Sequence, residues 1–455
     1  MDPANFRFGG GAEESQILPL TLGLLVLASI LIFSLPRRYA ILPFLSACLL
    51  IPMGQVLVVG GIHLMVFRLL ILATWVRLAF TGILFKPGKA GFRLHPVDRA
   101  ILWWALVSVL AFTLLYLDFA ALLNRLGLAY NTLGVYFLVR FLVRDSDDVD
   151  RVLKLFSIIC AFVAVCMILE QLTGRNAFSV FGGVPAITAV RDGRIRSQGP
   201  FAHPIIAGTL GATFLPLFAG LWWAKRAKMY AIIGLFGGLA MTVTCASATP
   251  LMAIAAAIGA VFFWPFRRCM RVFRGAFVAL LVGLHLVMKA PVWALIGRVS
   301  VIGGSSGDHR YELVNRTILH FSDWWLLGYG NTEQWGYLMH DTANAFVDAA
   351  ITGGLLGLAL FITILARCFR SIGLARKAAS ESRKLERRHW AWGAWLLANV
   401  VAFFGITYFD QSLVAWYSLL AMIPATASGS SGARAEVIVD TSEAESTHAL
   451  SYSAS

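Results

Sequence analysis

The sequence predicts an all-α protein, a polytopic transmembrane helix bundle of about 12 to 13 spans with two long outer loops, the second containing an amphipathic interfacial helix. Three observations predict it. Of 455 residues 58% are hydrophobic and 14% charged, with a mean hydropathy of +0.74, and such a chain is solvated mainly by lipid. The apolar residues fall in runs of membrane-spanning length. Lys and Arg gather in short clusters between alternate runs, the pattern of cytoplasmic loops. The net charge of +14 therefore reports topology, and nucleic acid is not an expected partner.

Residues 1–16 form a polar leader without the basic stretch and small-residue cleavage site of a removed signal. Residues 17–35 are long enough to span and stop at Pro36, Arg37 and Arg38, whereas 39–51 make a shorter segment broken by Pro52 and Gly54. The run 62–84 carries Arg68 and Arg77, which are expected to snorkel or pair. Spans follow at 101–117, 120–143 and 152–172, and then comes the first long loop, 173–200. Further spans at 201–224, 230–246, 251–266 and 277–289 lead to the second loop, 291–341. Spans at 342–369, 390–408 and 412–425 complete a bundle that occupies residues 17–426. The tail, 427–455, is rich in Ser, Ala and Glu and is expected to be disordered. Basic clusters at residue 37 and at 86–99, 144–154, 225–228, 267–274 and 370–388 all fall on one side. The two long loops then share the opposite face, which is periplasmic if this is the inner membrane of a bacterium.

Candidate chemistry lies on that outer face. In the first loop Arg191, Arg194 and Arg196 precede a Gly-Pro turn and a helix starting near Phe201. Guanidinium groups beside helix-start amides suit an anion such as phosphate, because the planar fork binds two oxygens at once. The alternative is pairing with acidic residues elsewhere or contact with lipid headgroups. His203, just before Pro204, fits a structural helix-start role better than that of a proton carrier.

The second loop reads as an amphipathic helix over about residues 308–326, with Tyr311, Val314, Ile318, Phe321 and Trp325 on a face suited to the membrane surface. His309, Arg310 and Arg316 lie at its start and polar flank, where Arg310 either points into a shared cavity or pairs locally with Asp308 or Glu312. Beyond it Asp341, Asn344, Asp348 and Thr352 recur at spacings of three, four and four, which places them on one helix face. A carboxylate in hydrocarbon costs several kcal/mol unless it lines a wet cavity or has a partner, so this stripe is expected to face a protein interior. His340, one turn from Asn344, is the best-placed titratable base. The six cysteines lie in or at the ends of apolar segments with no CxxC pair, so neither a disulfide framework nor a metal site is expected.

Several of these pieces resemble the bacterial O-antigen ligase and polysaccharide polymerase superfamily. They are the pattern Arg196, Gly199, Phe201, Pro204 leading into a span, then Arg310 with its amphipathic helix, then Leu326, Leu327, Gly328, Tyr329 and Gly330, and finally Asn344, Phe346 and the run from Gly354 to Gly357. Together they cover about residues 190–360. The resemblance implies a membrane glycosyltransferase acting on undecaprenyl-pyrophosphate-linked glycan, with Arg194, Arg196, His309, Arg310, Asn344 and Asp348 holding substrate. It also implies a glycan or lipid acceptor and a base near the last outer helix. The family's usual histidine falls at Ala343, so that base is His340 or Asp341. The Ser-Arg pair usual at the start of a middle span reads Ser247, Ala248, Thr249, Pro250, without the arginine. No Asp-x-Asp on an outer loop and no Gly-rich Lys-Ser/Thr phosphate loop is present, which favours a lipid-linked donor and no cofactor. A transporter or flippase of lipid-linked or anionic substrates is the alternative, suggested by Arg68, Arg77 and the helix breaks at Pro52 and Pro250. A scaffold whose outer loop binds a partner is a third.

Overall fold

The apolar runs fold as helices. A computed structural model describes residues 16–59, 62–82, 94–298, 306–337 and 339–426; the expectations for the leader, the tail and the basic residues Lys86 and Lys89 lie outside them. The first half holds α1 (Pro19–Ser34), α2 (Arg37–Leu50), α3 (Val66–Phe80), α4 (Pro96–Tyr116), α5 (Phe119–Leu142) and α6 (Ser146–Thr173). After it come α7 (Pro204–Leu221), α8 (Lys228–Thr244), α9 (Ala248–Phe262), α10 (Met270–Val287) and the short α11 (Leu295–Arg298). Then follow α12 (Ser306–Leu319), α13 (Phe321–Trp324), α14 (Ala345–Ala378), α15 (Arg383–Ala402) and α16 (residues 410–426). Among the described residues five helices, α4, α6, α7, α10 and α14, are long and apolar enough to cross a membrane, and α1, α8 and α9 are shorter apolar helices. The described residues are all-α apart from two antiparallel hairpins, β1 (Val56–Val59) with β2 (Ile62–Met65) and β3 (Ala189–Arg191) with β4 (Arg194–Arg196).

Helix starts follow local chemistry. Asp145 caps α6 by accepting from Asp148 N, and His95 and Asp98 form a reciprocal capping box on α4. α7 packs on α8 where Gly211 meets Gly238: a Cβ at Gly211 would lie 2.7 Å from the Gly238 carbonyl oxygen, so the backbones approach as small residues allow. α9 and α14 run antiparallel to α15, since Trp390 at its start meets Ala260 and Glu386 meets Arg376, while the turn after its end meets Thr249 and Ala345. α4 runs antiparallel to α14, with His95 beside Ser371 and Ser108 beside Gly353. One end of the bundle therefore collects the starts of α7, α9 and α14 with the ends of α6, α8 and α15.

Three expectations are corrected. The run 62–84 does not begin as a helix; its first residues pair as β2 with β1. The amphipathic helix stops at Leu319, short of residue 326; its buried stripe is Arg310, Leu313 and Thr317, and Ile318, Phe321 and Trp325 are exposed, as residues of a surface face would be. The run 342–369 is not one unbroken helix. α14 starts only at Ala345 and is interrupted at Gly354, whose φ is +62°.

A regular helix would pair the Leu355 amide with the Ile351 carbonyl. Here Leu355 N donates instead to Trp325 O at 2.8 Å, and Ile351 O accepts from Tyr329 N at 2.7 Å. The loop 325–329 is thus inserted into the gap and satisfies both groups, as buried backbone requires. Two glycines make the contact possible. A Cβ at Gly328, where φ is +97°, would sit 2.1 Å from Ile351 O, and one at Gly354 would sit 2.4 Å from Leu326 O.

Candidate active site at one end of the bundle

The hairpin β3–β4 is anchored by a buried carboxylate at the end of α6. Glu170 accepts from Gly199 N at 2.9 Å, from Gln198 N at 3.2 Å and from the Thr188 hydroxyl at 3.1 Å. Ser197 N donates to Thr244 O at 3.1 Å, which seats β4 against the end of α8. Arg196 is consequently half-buried at this junction, and among the described residues its Nε has no hydrogen-bond partner. Burial, then the charge of Arg191, lowers the Arg196 guanidinium below its ordinary value. Arg194 and Arg191 are exposed, the latter 3.8 Å from Asp192.

His203 caps α7, its Nδ1 accepting from Ile205 N at 3.3 Å, the structural role expected of it. Desolvation and then Arg196 lower its imidazole below the ordinary value, while Asp341 acts in the opposite sense. Arg196, His203 and Asp341 therefore lie within one electrostatic neighbourhood.

Arg310 arrives from α12 and is 7% exposed. Its Nη2 donates to Thr249 Oγ1 at 2.8 Å, and Nη1 lies 3.8 Å from Met252 Sδ. Thr249 in turn donates to Gly405 O at 3.3 Å. Gly405 leaves the space: a Cβ there would meet Thr249 Oγ1 at 2.6 Å and Arg310 Nε at 2.9 Å. The expected local pairing does not occur. Glu312 is taken by Arg316 at 2.6 Å, and among the described residues no carboxylate pairs with Arg310. Burial alone lowers the Arg310 guanidinium. A buried cation without a counter-charge is costly. His309 is half-exposed on the same turn.

The turn between α15 and α16 ties these parts together. Phe403 O accepts from Ala345 N at 2.9 Å, Gly405 O accepts from Thr249, and the Thr407 hydroxyl donates to Thr342 O at 3.2 Å. It thereby fixes the starts of α9 and α14 and, through Thr249, the Arg310 head. His340 and Asp341 are exposed in the irregular segment before α14. Asn344 is the α14 N-cap, accepting from Phe346 N at 2.9 Å and Val347 N at 3.2 Å, and its buried Nδ2 has no partner among the described residues.

The expected stripe of four polar residues on one helix face is therefore corrected. Asp341 precedes the helix and Asn344 caps it, while Asp348 and Thr352 line an interior cavity between α14 and its neighbours α4, α5 and α16. Sequence reasoning missed Thr249, Glu170 and Arg125, the residue that shares the cavity with Asp348. Single charges inside apolar runs were the available signal for Glu170 and Arg125. Thr249 is met by the Arg310 guanidinium, a long-range contact that spacing does not encode. Among the described residues no three His, Cys, Asp or Glu converge as metal ligands would.

No protein-family model matches the chain, and no curated protein matches it. Arg196 beside the end of α8 and Arg310 beside the start of α9 lie at the same end of the bundle, as do the exposed His340 and Asp341 before α14.

Proposed function

We propose that the protein is a membrane glycosyltransferase of O-antigen ligase or polymerase type, with about 12 to 13 spans, acting on the periplasmic face of a bacterial inner membrane. The observation that carries this reading is Arg310, buried and without a carboxylate partner, at the same end of the bundle as Arg196. Such a pair suits the diphosphate of a lipid-linked glycan, whose leaving charge two guanidinium groups stabilise. Arg194 and His309 stand at the rim, and the unpartnered Asn344 amide supplies a further donor. The acceptor hydroxyl oxygen attacks the anomeric carbon and the carbon–oxygen bond to the diphosphate breaks. The hydroxyl proton passes to His340 or Asp341, and the lipid diphosphate departs with inversion at that carbon.

The test is reconstitution with an undecaprenyl-pyrophosphate-linked oligosaccharide. Longer chains identify a polymerase and a new lipid conjugate a ligase; unchanged substrate overturns the reading. Full transfer by the His340→Ala, Asp341→Ala double variant removes both candidate bases. A cysteine at exposed Asn331, in a background without the native cysteines, reacts with an impermeant maleimide from the periplasmic side; reaction only after lysis inverts the topology.

The interrupted α14 favours a second reading, a transporter of lipid-linked substrates, because broken helices line transport sites. In this chain the Leu355 amide and the Ile351 carbonyl at the break are bonded to the loop 325–329, so these two groups are not offered to a substrate. Movement of intact lipid-linked glycan across the bilayer without any transfer product would select the transporter.

A further inference from the structure

A separate cavity of about 140 Å³ lies between α4, α5, α14 and α16. Two opposite charges line it, Arg125 from α5 and Asp348 from the first turn of α14. They attract one another across it, yet among the described residues no hydrogen bond or ion pair joins them. The Arg125 head is held by the Phe112 ring, 3.7 Å from its centroid, with Nε unpartnered. The remaining wall has two characters. Ser108, Thr132, Thr352 and Thr407 supply hydroxyls, and Trp104, Tyr408, Trp416 and Tyr417 supply aromatic surface.

The chemistry of the wall restricts the occupant. An acyl chain would leave both charges unsolvated. A simple anion is repelled by Asp348 and a simple cation by Arg125. A neutral molecule dense in hydroxyls satisfies both, accepting from the guanidinium and donating to the carboxylate, while its carbon–hydrogen faces rest on the rings. A cavity of about 140 Å³ is too large for one bridging water and of the order of a single sugar ring. Ala345, Phe403 and Thr407 line this cavity and belong to the same two segments that fix the mouth at Thr342 and Gly405. The cavity therefore backs directly onto the segment that carries His340 and Asp341.

We propose that this cavity is a monosaccharide pocket that takes one neutral hexose or N-acetylhexosamine unit of the glycan, held between Arg125 and Asp348 against the Trp104 and Trp416 rings. Its role in transfer rests on the glycosyltransferase reading, and its existence does not. The test uses the full chain in lipid nanodiscs and saturation-transfer NMR with a panel of methyl hexosides and methyl N-acetylhexosaminides. Undecaprenyl diphosphate without sugar is titrated in parallel. At least one glycoside receives saturation from the native protein, and Asp348→Asn weakens its binding at least tenfold. Ser108→Leu, which fills the cavity and keeps both charges, abolishes it and decides the matter if Asp348→Asn does not fold. No glycoside bound by the native protein, binding unaltered in Ser108→Leu, or saturation of an amino-acid panel in place of the glycosides overturns the pocket. Glycoside binding with no affinity for the lipid diphosphate leaves the pocket standing and removes the diphosphate cradle, whereas the reverse result removes the pocket alone.

Discussion

At the end of the bundle where α4, α6 and α15 begin, half-buried arginines meet buried carboxylates, while the buried Arg77 donates to the Leu35 carbonyl. Arg140 lies 3.2 Å from Asp98, Arg37 and Arg151 lie 3.0 and 2.6 Å from Asp148, Arg267 lies 2.9 Å from Glu386, and Arg388 pairs with Asp150. At the opposite end Arg310 is more deeply buried than these paired arginines and meets a threonine, and Arg196 keeps an unbonded Nε. Charge pairs at the first end hold helices to each other. The second end holds cations in place without neutralising them, which is the arrangement a binding site for an anion needs.

The largest expected effect tests the structural end. Arg140→Ala strands Asp98, which is fully buried and also accepts from the Tyr136 hydroxyl at 2.5 Å, and should cost about 3–5 kcal/mol of stability. Thermal unfolding in detergent measures it, and a loss below about 1 kcal/mol would dissolve the contrast between the ends. Arg310→Met should behave in the reverse way. Removing an unpaired buried cation is neutral or stabilising in the same unfolding assay, while affinity for undecaprenyl diphosphate falls by about 2–4 kcal/mol. Lower stability with intact affinity would make Arg310 a structural residue. Arg196→Ala, at a half-buried site, should weaken the same binding by about 1.5 kcal/mol, roughly tenfold, as read by titration of the lipid diphosphate.

The smallest effect concerns pH. Folding lowers the proton affinity of His203, so its contribution to stability is present above the ordinary histidine value and is lost as pH falls through the lowered one. A diphosphate beside it reverses the preference, so lipid diphosphate should bind more tightly as pH drops from 7 towards 5. In His203→Gln both dependences should flatten, and an unchanged binding profile would separate His203 from the cradle.

Helix identity and the clustering of basic residues were readable from the chain because apolar runs and loop charge are local patterns. Other features were not. The strands β3 and β4 have three residues each, too few for alternation to register. The polar stripe from Asp341 to Thr352 was assigned to one face by spacing that presumes a helix throughout, whereas Asn344 is a preferred capping residue and ends that presumption. The unpaired state of Arg310 depends on where Glu312 turns, and Glu312 turns to Arg316 at the next helical position. The facing of Arg125 and Asp348 joins helices more than 200 residues apart, which single-sequence periodicity cannot report.

The gap in α14 also bears on biogenesis. Trp325 and Tyr329, whose backbone groups close it, are translated before Ile351 and Leu355. When that apolar stretch leaves the ribosome its missing partners already exist upstream, so the interrupted helix need never meet lipid with a bare amide and carbonyl. Reversing that order, by permuting the chain so that residues 325–329 are made last, would hand the translocation machinery a helix with an open seam.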